Sequence, residues 1–241
     1  MGGGKLWLCS STAFPGSFEL QSGAWKPSSG GEGSIHHGCK IAVLDGKWVV
    51  LGGRRLGETQ ETLSRPLGGS GFAAYPVEAQ KLDESMLIPL ADGSGTVLPA
   101  WDAELSVVPP KGHTGSLTAV PTEKLVGWLS DSLSAKGGGQ GPAAPANAPK
   151  AKPADWSAAR LWATEGPMPI ACALAKDQFV VAHGGGGGAG GCKLSGFRRA
   201  DGSKAWTVDL PEQPAMNRLA LDRDGRVLIA LCDGSVLCLG R

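Results

Sequence analysis

Short apolar runs, each about one strand long, follow one another along most of the chain, separated by turn residues. They read CKIAVLDG (39–46), KWVVLGG (47–53), GFAAYPV (71–77), TVLPAW (96–101), ELSVVP (104–109), SLTAV (116–120), QFVVAH (178–183), KAWTVDL (204–210), RLALDRDG (218–225), RVLIALC (226–232) and SVLCLG (235–240). Runs of this length, many rich in Val, Ile and Leu, predict strands. Asp-Gly pairs recur at 45, 92, 201, 224 and 233. Gly, and Asp nearly as well, tolerates the positive φ of a tight hairpin, so these pairs predict antiparallel connections. The turns singled out are Asp201-Gly202, Asp224-Gly225 and Asp233-Gly234. Near-continuous apolar character predicts strands covered on both faces.

One segment breaks the rhythm. TEKLVGWLSDSLSAK (122–136) sets Leu125, Trp128, Leu129 and Leu133 at helical spacing, with a helix-weakening Gly in the middle. It reads either as one amphipathic helix or as a strand followed by a helical turn. The stretch KGGGQGPAAPANAPKAKP (136–153) cannot bury enough apolar surface to offset the ordering of its chain. A flexible Gly/Ala/Pro-rich insertion at 136–155 in a single domain spanning 1–241 is therefore expected. HGGGGGAGG (183–191) and KPSSGGEGS (26–34) are further biased stretches.

Two segments repeat each other. LWATEGPMPIACALAKDQFVVAHG starts at 161 and AWTVDLPEQPAMNRLALDRDGRVLIALCDG at 205. Each opens on a pair ending in Trp, passes a Pro-containing turn, and continues through a small-and-apolar strand into a stronger apolar one. From Trp162 to Trp206 is 44 residues, and GKLWLCS at the N-terminal end carries the same Leu-Trp pair. A period of about 40–50 residues of short strands is a signature of propeller blades. The expectation is an all-β chain: a β-propeller of four-stranded antiparallel blades, about four blade-equivalents, as a small ring, an open arc or part of a longer protein.

FRRADGSKAWTVDLPEQPAMNRLALDRDGRVLIALCDGSVLCLG resembles the closing blades of PQQ-like (quinoprotein alcohol dehydrogenase-like) β-propeller repeat proteins. The matching pieces are Asp201-Gly202, Trp206, Leu210-Pro211, Asp224-Gly225, Asp233-Gly234 and a Cys before the final Leu-Gly. The resemblance covers about 158–240, and GGKLWL (3–8) is similar to a strand of such proteins. It implies that the repeat Trp docks against the next blade, a role assigned to Trp162 and Trp206, with Trp7 as a third. It also implies that the first and last runs share a blade. Catalytic members hold PQQ and calcium and commonly join adjacent cysteines. This chain has no adjacent cysteines, and no catalytic residue carries over.

Composition narrows the function. The chain has 23 basic and 22 acidic residues, against a nucleic-acid partner. Arg54-Arg55 and Arg198-Arg199 read as solvated surface. No apolar run reaches the roughly 20 residues of a membrane span. The start has no secretory signal, so the chain is either cytoplasmic or part of a longer, exported or periplasmic protein. Cysteines at 9, 39, 172, 192, 232 and 238 form no Cys-x-x-Cys. Those at 232 and 238, in apolar runs, read as free buried thiols.

Candidate chemistry is sparse. Gly186, Gly188 and Gly191 match a Gly-x-Gly-x-x-Gly pattern, but a strand-like CKLSGF follows where a dinucleotide site needs a helix, so a loop between strands is expected. His36, His37 and Cys39 are of zinc-ligand type, yet no second cluster completes four ligands. His113 and His183 are distant and unpaired in sequence. Asp102 and Glu104, after Trp101, read as turn carboxylates rather than as a general base. The expected function is a non-catalytic scaffold or binding module for a protein, peptide or carbohydrate, with no cofactor. The alternatives are a fragment of a PQQ-dependent oxidoreductase, with PQQ and calcium, and a sensor or interaction domain of a larger exported protein.

Overall fold

The computed structural model describes residues 4–8, 16–26, 40–53, 71–78, 88–91, 99–108, 116–135, 155–166, 169–184 and 191–240. The insertion at 136–154, the Asp-Gly pair at 92, and His36, His37, Cys39, His113, Gly186 and Gly188 lie outside these residues. The described strands are eighteen in five antiparallel sheets, close to the four blade-equivalents that the strand rhythm predicts. The chain is all-β, of the β-propeller class, with one α-helix among the described residues. No described helix is long and apolar enough to cross a membrane. The chain divides into two compact units, residues 1–94 with 122–159 and residues 95–121 with 160–241.

The first unit holds two sheets and the helix. Strands β1 (Lys5–Leu8), β2 (Gly16–Glu19) and β3 (Trp25–Lys26) form a three-stranded meander. Trp7 sits on β1 opposite Ser17. Strands β4 (Lys40–Leu44), β5 (Trp48–Gly53), β6 (Gly71–Pro76) and β7 (Ile88–Ala91) form a four-stranded one. Between β4 and β5, Lys47 donates its N–H to the Leu44 carbonyl at 3.1 Å. Asp45 and Gly46 both take positive φ there, 50° and 63°, the combination a type I′ turn needs. Leu44, Trp48, Val49, Val50, Tyr75 and Ile88 are buried. Residues 122–135 form one helix, α1 (Thr122–Ala135), burying Leu125, Val126 and Leu129, so the helical reading of this segment holds.

The second unit holds three sheets in succession. The first is β8 (Ala100–Trp101), β9 (Leu105–Val108), β10 (Ser116–Pro121) and β11 (Trp162–Glu165). The second is β12 (Pro169–Leu174), β13 (Gln178–His183), β14 (Lys193–Arg198) and β15 (Lys204–Asp209). The third is β16 (Pro214–Leu221), β17 (Val227–Leu231) and β18 (Val236–Leu239).

Period-two alternation sends β13 side chains to both neighbours of the middle sheet. Phe179 and Val181 meet Leu105, Val107, Leu117, Ala119 and Trp162 of the first sheet. Val180 and Ala182 meet Val227, Ile229 and Leu231 of the third. Sheets stacked face on face, each joined in sequence to the next, are blade packing. The middle sheet meets the expectation of strands covered on both faces. In β17 burial alternates instead, and Leu228 is 37% exposed. The expected sharing of one sheet by the two end runs is not observed among the described residues: β1 pairs with β2 and β18 with β17, in separate sheets.

Candidate binding surface

Several side-chain ties in the second unit grow from turns or edge strands. Trp162, on the edge strand β11, is buried and reaches out of its sheet: its Nε1–H donates to the Arg199 carbonyl of the following sheet at 2.8 Å. Gly202, at φ 71°, lies under the indole, where a Cβ would stand 2.5 Å from a ring carbon. Trp206, on the edge strand β15, lies instead over its own sheet. A Cβ on Gly196 of β14 would stand 2.2 Å from its ring, and its Nε1–H donates to Gln178 Oε1 of β13 at 2.7 Å. Its other side packs on the core shared with the third sheet.

Arg199 corrects the reading of Arg198-Arg199 as solvated surface: Arg198 is exposed, but the Arg199 side chain is only 14% accessible. Its guanidinium makes an ion pair with both Asp102 oxygens, bonds Glu104 Oε2 at 3.1 Å and donates to the Ala175 carbonyl at 3.2 Å. The charge and the docked indole thus meet on one residue, which sequence neighbours did not reveal. Asp102 also accepts the N–H groups of Glu104 and Leu105, each at 2.9 Å. Partial burial opposes its ionisation, but hydrogen bonds from Arg199, Leu105 and Glu104 outweigh this and hold the carboxyl below its usual range. It is a turn carboxylate, the opposite of the raised pKa a general base requires.

His183, unpaired in sequence, is buried and has a partner: Nε2 lies 2.9 Å from Ser195 Oγ, which lies 2.9 Å from Thr207 Oγ1. Burial first, then the charges of Lys204 and Lys193, push its pKa down. Burial also pushes the Cys172 thiol up to about 12, so it is a protonated, inert thiol. Cys232 and Cys238 are free but exposed, correcting the buried reading: Cys238 falls on the outer parity of an edge strand, and Cys232 starts the turn after β17. In the remaining turns, Gly225 and Gly234 have φ of 82° and 89°. The Asp201 and Asp233 carboxylates accept the N–H of Ser203 and Ser235 at 2.9 Å, and Asp224 accepts from the Arg226 guanidinium at 2.8 Å.

Asp102 and Glu104 are both engaged by Arg199, and among the described residues no three His, Cys, Asp or Glu side chains converge.

The outer face of the third sheet differs from every face inside the stack. Leu228 pairs with Cys238 and Ala230 with Val236, so these four share the side turned away from Val227, Ile229 and Leu231. Val236 is 65% exposed, and Cys238 is exposed. Ala220, opposite Leu228 on β16, continues the row. This row is mostly apolar, and the exposed Arg226 flanks it just before β17.

No family model matches the chain, and no curated protein matches it. Among solved structures, the crystal structure of BamB from Moraxella catarrhalis is similar at a TM-score of 0.45 with 10% identity, covering 99% of this chain and 70% of that one.

Proposed function

We propose that the chain is a non-catalytic protein-binding scaffold built of PQQ-like propeller repeats. The observation that carries this reading is the third sheet's outer face. Two successive interfaces of the stack bury their apolar faces, whereas Leu228, Val236 and Cys238 present theirs to solvent. Burying such side chains is worth about 25 cal/mol per Å², which favours a partner surface. The repeat type is supported by Trp162, whose indole rests on Gly202 and donates to the next sheet's backbone. Charge supports a protein rather than a polyanion, since the balance of 23 basic to 22 acidic residues leaves no strongly positive field.

The test is comparative capture. Wild-type protein and Leu228→Arg are immobilised, exposed to an extract of the source organism, and their bound proteins quantified by mass spectrometry. Leu228→Arg keeps the wild-type circular dichroism and loses at least about tenfold of the specific partners, the cost of about 1.4 kcal/mol. Equal retention by both sinks the reading.

A further inference from the structure

Natural sheets guard their edges with charge, proline, bulges or brevity, because an unpaired row of N–H and C=O groups invites another strand. In the five described sheets the guards are visible on nine of ten edge strands. Lys5, Lys40 and Glu165 sit on β1, β4 and β11; Pro89 sits on β7. Strands β3 and β8 are two residues long. Pro169 and Pro214 open β12 and β16, each beside a register shift, and β15 carries Lys204 and Asp209. The remaining edge, β18, reads Val-Leu-Cys-Leu and carries none of these. It also stands third in its sheet, at the place where the two preceding sheets of this unit each carry a fourth strand, β11 or β15.

We propose that β18 accepts an extended segment of a partner protein as an antiparallel fourth strand, which deepens and rests on the binding reading of this sheet. The hydrogen-bonding phase fixes how. Leu231 donates its N–H to Ser235 at 2.8 Å, and the register continues through Ile229 with Leu237 and Val227 with Leu239. Bonded and non-bonded pairs alternate in an antiparallel ladder. Leu237 and Leu239 therefore spend their backbone groups on β17, while Val236 and Cys238 turn theirs to the free edge. Strand addition there gives backbone bonds for affinity and places alternate side chains on the apolar outer face.

The occupant differs from β15 in one respect. Trp206 of β15 lies over Gly196, which pairs with Val180; Leu228, aligned with Val180 by the hairpin before it, pairs with Cys238. A side chain at Cys238 leaves no seat for a flat indole. The segment that fits is apolar at that position and carries a side chain smaller than an indole.

The probe is a fluorescein-labelled peptide KAVTVDL, the 204–210 sequence with Trp206→Val. It is titrated by fluorescence anisotropy against wild type, Cys238→Ala and Cys238→Pro. Proline at 238 removes only an outward-facing N–H, a change that edge strands tolerate, so the fold persists by circular dichroism. Saturable binding by wild type, within about twofold for Cys238→Ala and weaker by up to about tenfold for Cys238→Pro, is the expected result. No binding by wild type, or equal binding by Cys238→Pro, overturns the proposal. So does a wild-type dimer by light scattering that Cys238→Pro dissolves, since a second copy would then own the edge. If Leu228→Arg loses captured partners while Cys238→Pro keeps both partners and peptide, the surface binds protein without strand addition: this proposal fails and the functional reading survives. If Leu228→Arg loses nothing, both fail.

Discussion

Trp162 and Trp206 hold equivalent places in the repeat and are anchored in different ways. Trp162 leaves its sheet: its ring sits on a glycine of the next one and its N–H bonds a backbone carbonyl there. Trp206 stays at home, over Gly196 with its N–H on Gln178, and meets the next sheet only with its outer side. The difference follows from what surrounds each ring. The first seam adds Arg199, which ties the Asp102 turn and the Ala175 carbonyl to the strand end whose backbone receives the indole. The second seam rests on the apolar cluster around Val227, Ile229 and Leu231. One repeat residue can therefore lock two sheets together or brace its own, and motif matching does not distinguish the two.

Truncation gives the sharpest test of that contrast. Trp162→Ala should cost about 3–5 kcal/mol in urea unfolding followed by circular dichroism, as expected for a buried indole whose bonded carbonyl is orphaned. Trp206→Ala should cost about 2 kcal/mol, because its ring is only half-buried. Equal losses would erase the distinction.

The supporting glycines should follow in the same order with smaller effects. Gly202→Ala meets both a ring at 2.5 Å and a left-handed φ of 71°, and should cost about 2–3 kcal/mol. Gly196→Ala meets only the ring and should cost about 1–2 kcal/mol. In a Trp206→Leu background the Gly196→Ala cost should largely vanish, whereas it should persist if Gly196 serves the backbone rather than the indole.

A third and smaller contrast is in pH. His183 points to the face shared with the first sheet, beside Ser195 and Thr207, and among the described residues no histidine lies in the core shared with the third. Its folded pKa is depressed by burial and by Lys204 and Lys193. Protons therefore bind the unfolded chain first. The contribution is complete above the ordinary histidine pKa of about 6.5, and declines as pH falls below it towards the folded value. His183→Asn should flatten that decline in urea titrations between pH 7.5 and 5, conditions set on the order of one unit either side of the ordinary value. An unchanged slope would assign the pH dependence elsewhere.

Much of the fold was legible because strand-making is local. Val, Ile and Leu runs of one strand's length mark β4, β5, β13 and β17, and Asp-Gly pairs supply positive φ at the β4–β5, β14–β15, β16–β17 and β17–β18 hairpins. The helix at 122–135 was one of two readings, because the spacing of Leu125 and Leu129 pointed to a buried stripe while the central Gly argued against it, and the structure decided for the helix. The short strands β2 and β3 were missed: GSFE and a two-residue WK carry too few apolar positions to show a period. The site was hardly legible at all. Arg199 looks like any surface arginine until the Asp102 turn arrives from 97 positions away, and Cys238 looks buried until its strand proves to be an edge.

Sequence by itself determined the parts: short antiparallel strands, many of their turns and an apolar stripe at helical spacing. These follow from φ, ψ and the spacing of apolar side chains over a few residues. Only the tertiary structure decided which apolar faces are spent on neighbours and which stay open, which indole bridges sheets, and which charge is drawn inward. Such outcomes depend on what packs opposite, and no local pattern encodes a neighbour that arrives from far along the chain.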